Sequence, residues 1–235
     1  LARYASSKLT PVMNRIGWTP RSSELSTTAV LRSQLIGTLG YIGDPAIVAE
    51  ANRRFAINDP SVTTGPLRST ILAVVSQNLD LAGWDKLRAQ AQAEKNPLVR
   101  AQLYRLLGAS KNPALARRAL ELALTQEPGA TTSPGIISAV AGRHPDLAFD
   151  YAMQNRQAVE GFIDASSRVS FLPGLGAGST DPAMVAKLQD YATRYMTPES
   201  RRPADIAIGS ITDRVRVRQT RLPDITRWLE AKSRA

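Results

Sequence analysis

Few residues in this chain are of the kinds that do covalent chemistry: it holds one histidine, His144, and no cysteine, against 30 lysines and arginines and 20 aspartates and glutamates. A zinc enzyme draws on at least two His or Cys ligands beside a carboxylate, so no hydrolytic metal site and no cofactor is expected within this chain. Disulfides, thiolate metal sites and cysteine nucleophiles fall away with the missing cysteine. A nucleophile, base and orienting group cannot be assembled either, so the chain is not expected to be an enzyme by itself. His144 precedes Pro145 at a place where related segments carry Asp or Asn, and it reads as a cap or loop histidine. The run from Gly174 to Thr180 is rich in glycine, but it lacks the Gly-Lys-Ser/Thr ending of a phosphate loop and follows no strand. It reads as a flexible connection.

A basic stripe carries more weight. Arg214, Arg218 and Arg221 share one helical face at i, i+4 and i+7, beside an apolar face of Ile208, Ile211, Val215 and Leu222. Guanidinium groups so placed suit carboxylates held bidentately or phosphates held as a polyanion, and they equally suit a solvated surface. The formal charge of +10 and pI near 10.4 attract acidic partners without choosing among these readings. Trp18, Trp84 and Trp228 are expected in the core or between packed helices.

These side chains must be held by helices. The chain of 235 residues is 43% hydrophobic and 21% charged, enough for a core, and has no apolar run of membrane-spanning length. Leu31, Leu35, Leu39 and Ile42 form one helical stripe, and Ile47, Val48, Ala51 and Phe55 form another just after Gly43-Asp44-Pro45. Helix starts recur at Asp44-Pro45, Asp80-Leu81, Asn112-Pro113, His144-Pro145 and Asp181-Pro182, with spacings of 36, 32, 32 and 37 residues. Proline suits the first helical position, and Asp or Asn suits the cap before it. First helices of the pairs are expected over Leu67 to Gln77 and Leu98 to Leu107. Loops are expected over Asn58 to Pro66, Gln126 to Gly135 and Leu172 to Pro182, with Asp59-Pro60 as loop punctuation. The fold class is therefore all-α, an α-solenoid of antiparallel helix pairs of the HEAT or armadillo type, about a dozen helices forming one domain over 1–235.

The segments Lys8-Leu9-Thr10-Pro11-Val12-Met13-Asn14-Arg15-Ile16-Gly17-Trp18, Leu35-Ile36-Gly37-Thr38-Leu39-Gly40 and Gly43 to Ala51 resemble the C-terminal helical domain of aminopeptidase N-like zinc metallopeptidases. That family includes the puromycin-sensitive and endoplasmic reticulum aminopeptidases. The likeness continues through Arg105 to Leu115, Phe149 to Asn155 with Phe162, and Ile225 to Leu229. The resemblance implies that the zinc and the catalytic residues belong to an upstream catalytic domain, which would be this chain's partner. It further implies a domain that caps the active site and encloses a peptide substrate, with Arg214, Arg218 and Arg168 facing the peptide carboxylate.

A chain that opens at Leu1 without a leader is the expected form of a piece of a longer protein. No membrane partner is expected, and the composition suits cytoplasmic and periplasmic or secreted locations alike. The alternative, from the charge alone, is a free-standing basic solenoid that binds nucleic acid or an acidic protein.

Overall fold

Asp44 shows how the sequence starts its helices. Its side chain accepts the Ala46 and Ile47 amide protons at 3.2 and 3.3 Å, and Pro45 stands where an amide proton would have no partner. The preceding helix ends at Gly43, whose φ of 81° lies in the left-handed region that glycine enters without a Cβ clash. Asn96 and Asn112 repeat the arrangement before Pro97 and Pro113.

A computed structural model describes residues 1–234, with fifteen α-helices, one 3₁₀ turn and no strand among them. The chain divides into two compact units: Leu1–Trp84 with the residues from Leu229 on, and Asp85–Trp228. The first contains α1 (Ala2–Ile16), α2 (Ser26–Ile42), α3 (Pro45–Ala56), α4 (Pro60–Thr63), α5 (Arg68–Gln77) and the first turn of α6 (Leu81–Ala93). The second continues α6 and adds α7 (Pro97–Leu107), α8 (Pro113–Ala123), α9 (Ser133–Ala141), α10 (Pro145–Gln154) and α11 (Arg156–Phe162). It ends with α12 (Ala165–Gly176), α13 (Ala183–Tyr195), the 3₁₀ turn Pro198–Ser200, α14 (Arg202–Thr220) and the start of α15 (Leu222–Arg234).

In the first unit α2 packs against α1, α3 and α5. In the second, α8 packs between α7 and α9, α10 between α9 and α12, and α13 between α12 and α14. Each second helix of a pair thus rests on the first helix of its own pair and on that of the next, which is how a solenoid buries its apolar faces. Ile47, Ala51, Phe55, Trp84, Leu87, Leu115, Ala116, Ala119, Met184 and Leu188 are buried, as their repeat positions require.

Polar contacts follow the same period. The His144 ring donates from Nε2 to the Ser110 carbonyl across 34 residues at 2.9 Å, and Ser179 donates to Asp146 across 33 residues at 2.7 Å. Arg214 donates to the Ser179 carbonyl across 35 residues at 2.9 Å. In the first unit Thr10 donates to Asp44 across 34 residues at 3.1 Å. Each contact joins one repeat to its neighbour at an equivalent level.

Several expectations need correction. Asp59-Pro60 is a cap and first helical residue, since Asp59 accepts the Ser61 amide proton at 2.9 Å and α4 forms inside the expected loop. The expected loop from Leu172 is helical as far as Gly176: Leu172 and Leu175 are buried, and their burial outweighs Pro173 and the glycines. Residues from Ser133 to Gly135 already belong to α9. At Asp181-Pro182 the helix starts one residue later, with Asp181 accepting the Ala183 amide proton at 2.9 Å. His144 holds the backbone position of a cap, but its ring bonds the neighbouring repeat instead of its own helix. Leu31 is exposed, while Ile42, Val48, Leu147 and Tyr151 are half-buried. Of the tryptophans, Trp84 is buried, Trp18 is half-buried with the Arg54 guanidinium 5.0 Å from its ring centroid, and Trp228 is exposed.

Candidate functional site

Arg214 stands one turn beyond Ile211, the last buried residue of the α14 face. That register brings its guanidinium over the end of α12, where the final carbonyls of a helix lack intrahelical partners. Its Nη1 donates to the carbonyls of Ala177 and Ser179 at 2.8 and 2.9 Å. Arg218, a turn further on, donates from Nη1 to the Thr180 hydroxyl at 2.6 Å. The two arginines therefore bind one short stretch after α12, Arg214 through its backbone carbonyls and Arg218 through the Thr180 side chain, and lie together.

Arg168 does not join them. It sits near the start of α12, where its Nε donates to the Ile163 carbonyl at 3.0 Å. At 1.5 Å per residue it lies about 13 Å along the axis from Ala177. Arg221 is exposed at the end of α14, and Arg216 pairs with Asp213 at 3.0 Å.

Each guanidinium has five N–H donors, and the internal bonds of Arg214 and Arg218 are made through Nη1 alone. The Nε and Nη2 edge is the one that takes a carboxylate side-on, as Arg53 does with Glu50 at 2.7 and 2.8 Å. The pair can bind a carboxylate without giving up its bonds to the α12 end. Apolar cover at this place is thin: Ile208 and Val215 are half-buried and Leu222 is exposed.

The other candidates are absorbed by the fold. Ser179, in the glycine-rich run, is buried and bonded to Asp146 and the Asp181 amide, and Gly174 to Gly176 are helical. No three His, Asp or Glu side chains among the described residues come together as metal ligands.

A second place was not legible in the sequence. An open groove of about 480 Å³ runs between α8 and α10, lined by Pro113, Ala114, Arg117, Arg118, Glu121 and Leu147. Arg118 is tied to Asp85 of α6 at 2.9 Å, whereas Arg117 makes no hydrogen bond or ion pair with a described residue. Burial and then the Glu121 charge push the Tyr151 hydroxyl above its ordinary value, and Arg117 opposes them, so all three share one locality. The only hint in the sequence is that Arg117 and Glu121 fall on the polar face of a strongly amphipathic helix, as ordinary surface residues do.

Against known families, the model of the ERAP1-like C-terminal domain matches residues 1–213. The matched stretch takes in Arg168 and the groove between α8 and α10, and it stops one residue before Arg214.

Proposed function

From the premise that this chain belongs to the ERAP1-like C-terminal domain family of zinc aminopeptidases, we propose that it caps the active site of such an enzyme and encloses the cavity that holds its peptide substrate. An upstream domain would carry the zinc and remove the N-terminal residue.

The observation that carries the reading is the family match over most of the chain. Arg214 and Arg218 support it: they sit together with donor edges to spare, and the chain as a whole is strongly basic. In this role they attract and orient the carboxylate end of a peptide whose other end lies in the catalytic domain.

The test uses the full-length enzyme and two forms of one peptide, with a free and with an amidated C-terminus. Arg218→Ala is expected to raise KM for the free carboxylate about tenfold and to leave the amidated peptide unchanged, since one charge-assisted contact is lost. Equal effects on both forms would refute the carboxylate role. An enzyme deprived of residues 1–235 that kept its preference among peptide lengths would refute enclosure. Salt-sensitive retention of the chain on a DNA column, with no effect of these variants on peptides, would favour the free-standing basic solenoid.

A further inference from the structure

Arg117 and Glu121 stand one helical turn apart in the groove between α8 and α10 and do not bond each other. Opposite charges at i and i+4 ordinarily gain a few tenths of a kcal/mol by pairing, but the order with the cation first is the weaker one. Both side chains are exposed and keep their hydrogen-bonding capacity for a third party. Arg118 beside them is already held by Asp85. Across the groove, Leu147 is half-buried in the first turn of α10, and Tyr151 lies a turn further along the same helix.

Cations gather where the two helices begin. The bond from His144 to the Ser110 carbonyl ties the loop before α10 to the loop before α8 at 2.9 Å. It brings Lys111 and Arg143 so close that burial and the Arg143 charge together pull the Lys111 ammonium below its ordinary value.

We propose that this groove is a subsite for an extended peptide segment, in which Arg117 takes an acidic side chain and Leu147 and Tyr151 take the apolar side chain next to it. Glu121 then accepts backbone N–H groups of the segment. The proposal rests on the peptide-enclosing reading above and adds a preference for acidic residues at one place in the ligand.

The 235-residue chain would be titrated against a fluorescein-labelled decapeptide of Ala and Leu with one central Glu, and against the same peptide with Gln, by fluorescence anisotropy. The Glu peptide is expected to bind about tenfold more tightly, the factor that one charge-assisted hydrogen-bonded contact supplies. Arg117→Ala should abolish that difference and leave the affinity for the Gln peptide unchanged, Arg117→Lys should keep part of it, and Glu121→Gln should enlarge it. Equal binding of the two peptides, or a Glu preference that survives Arg117→Ala, would overturn the subsite while leaving the enclosing role intact. Absence of binding by either peptide would also overturn the subsite, while the enclosing role stands or falls on the length preference of the full-length enzyme.

Discussion

Arg32 is 1% exposed and carries a full charge, and the fold surrounds it with acceptors. Nη1 and Nη2 reach the two oxygens of Glu24 at 2.6 and 2.5 Å, while Nε and Nη2 reach the carbonyls of Gly17 and Ile16 at 2.8 and 3.3 Å. One planar fork therefore pins the connection between α1 and α2. Arg32→Ala is expected to destabilise the chain by about 3 kcal/mol, because it leaves buried acceptors without donors, and urea unfolding followed by circular dichroism would measure it. Arg32→Lys should recover little of the loss, since a single ammonium cannot serve the carboxylate and both carbonyls. Arg214 likewise serves backbone acceptors, the carbonyls of Ala177 and Ser179. Arg214→Ala should lower the thermal midpoint by removing two bonds at the end of α12, whereas Arg218→Ala, which loses one exposed bond, should change it little.

Elements are set by caps and by close approaches. Asn112→Ala should cost about 1 kcal/mol as the Ala114 amide proton loses its acceptor. Asp44→Ala should cost more, because Asp44 also accepts from Thr10 on α1. Gly40 of α2 lets α5 approach: a Cβ there would lie 2.3 Å from Val74 Cγ2. Gly40→Ala should therefore destabilise the first unit, and Val74→Ala in the same chain should recover part of the loss. A double-mutant cycle in denaturant would read that coupling, and additive effects would contradict the packing described. Pro173 shows the limit of local signals. A proline with glycines around it normally ends a helix, but Leu172 and Leu175 are buried beside it and α12 continues.

Over the whole molecule, carboxylates govern the response to acid. Side-chain hydrogen bonds from Arg32, Arg53 and Arg88 hold Glu24, Glu50 and Glu127 below the ordinary value of 4.5. Bonds from Ser61 and Ser166 do the same for Asp59 and Asp164 relative to 3.8. The unfolded chain then binds these protons more readily, so their stabilisation is complete above about pH 4.5 and is lost as pH falls through the lower folded values. Burial shifts Tyr104, Tyr151 and Tyr191 upward from 10.0, which favours the neutral phenol in the fold, so stability should also fall as pH rises above about 10. Thermal melts across this range should show a plateau with losses on both sides, and no loss on the acid side would contradict the ion pairs described.

The helical class, the period of 32 to 37 residues and the starts at Asp44, Asn112 and His144 were legible in the sequence, because caps and apolar stripes act within a turn or two of the residues that encode them. The family was legible too, from short segments spread along the chain. Tertiary structure alone decided that the His144 ring meets Ser110, that Arg214 closes the end of α12 while Arg168 stands apart, and that Arg117 borders a groove. Such partners lie about one repeat apart in sequence, and only the packing of neighbouring helices determines which donor reaches which acceptor.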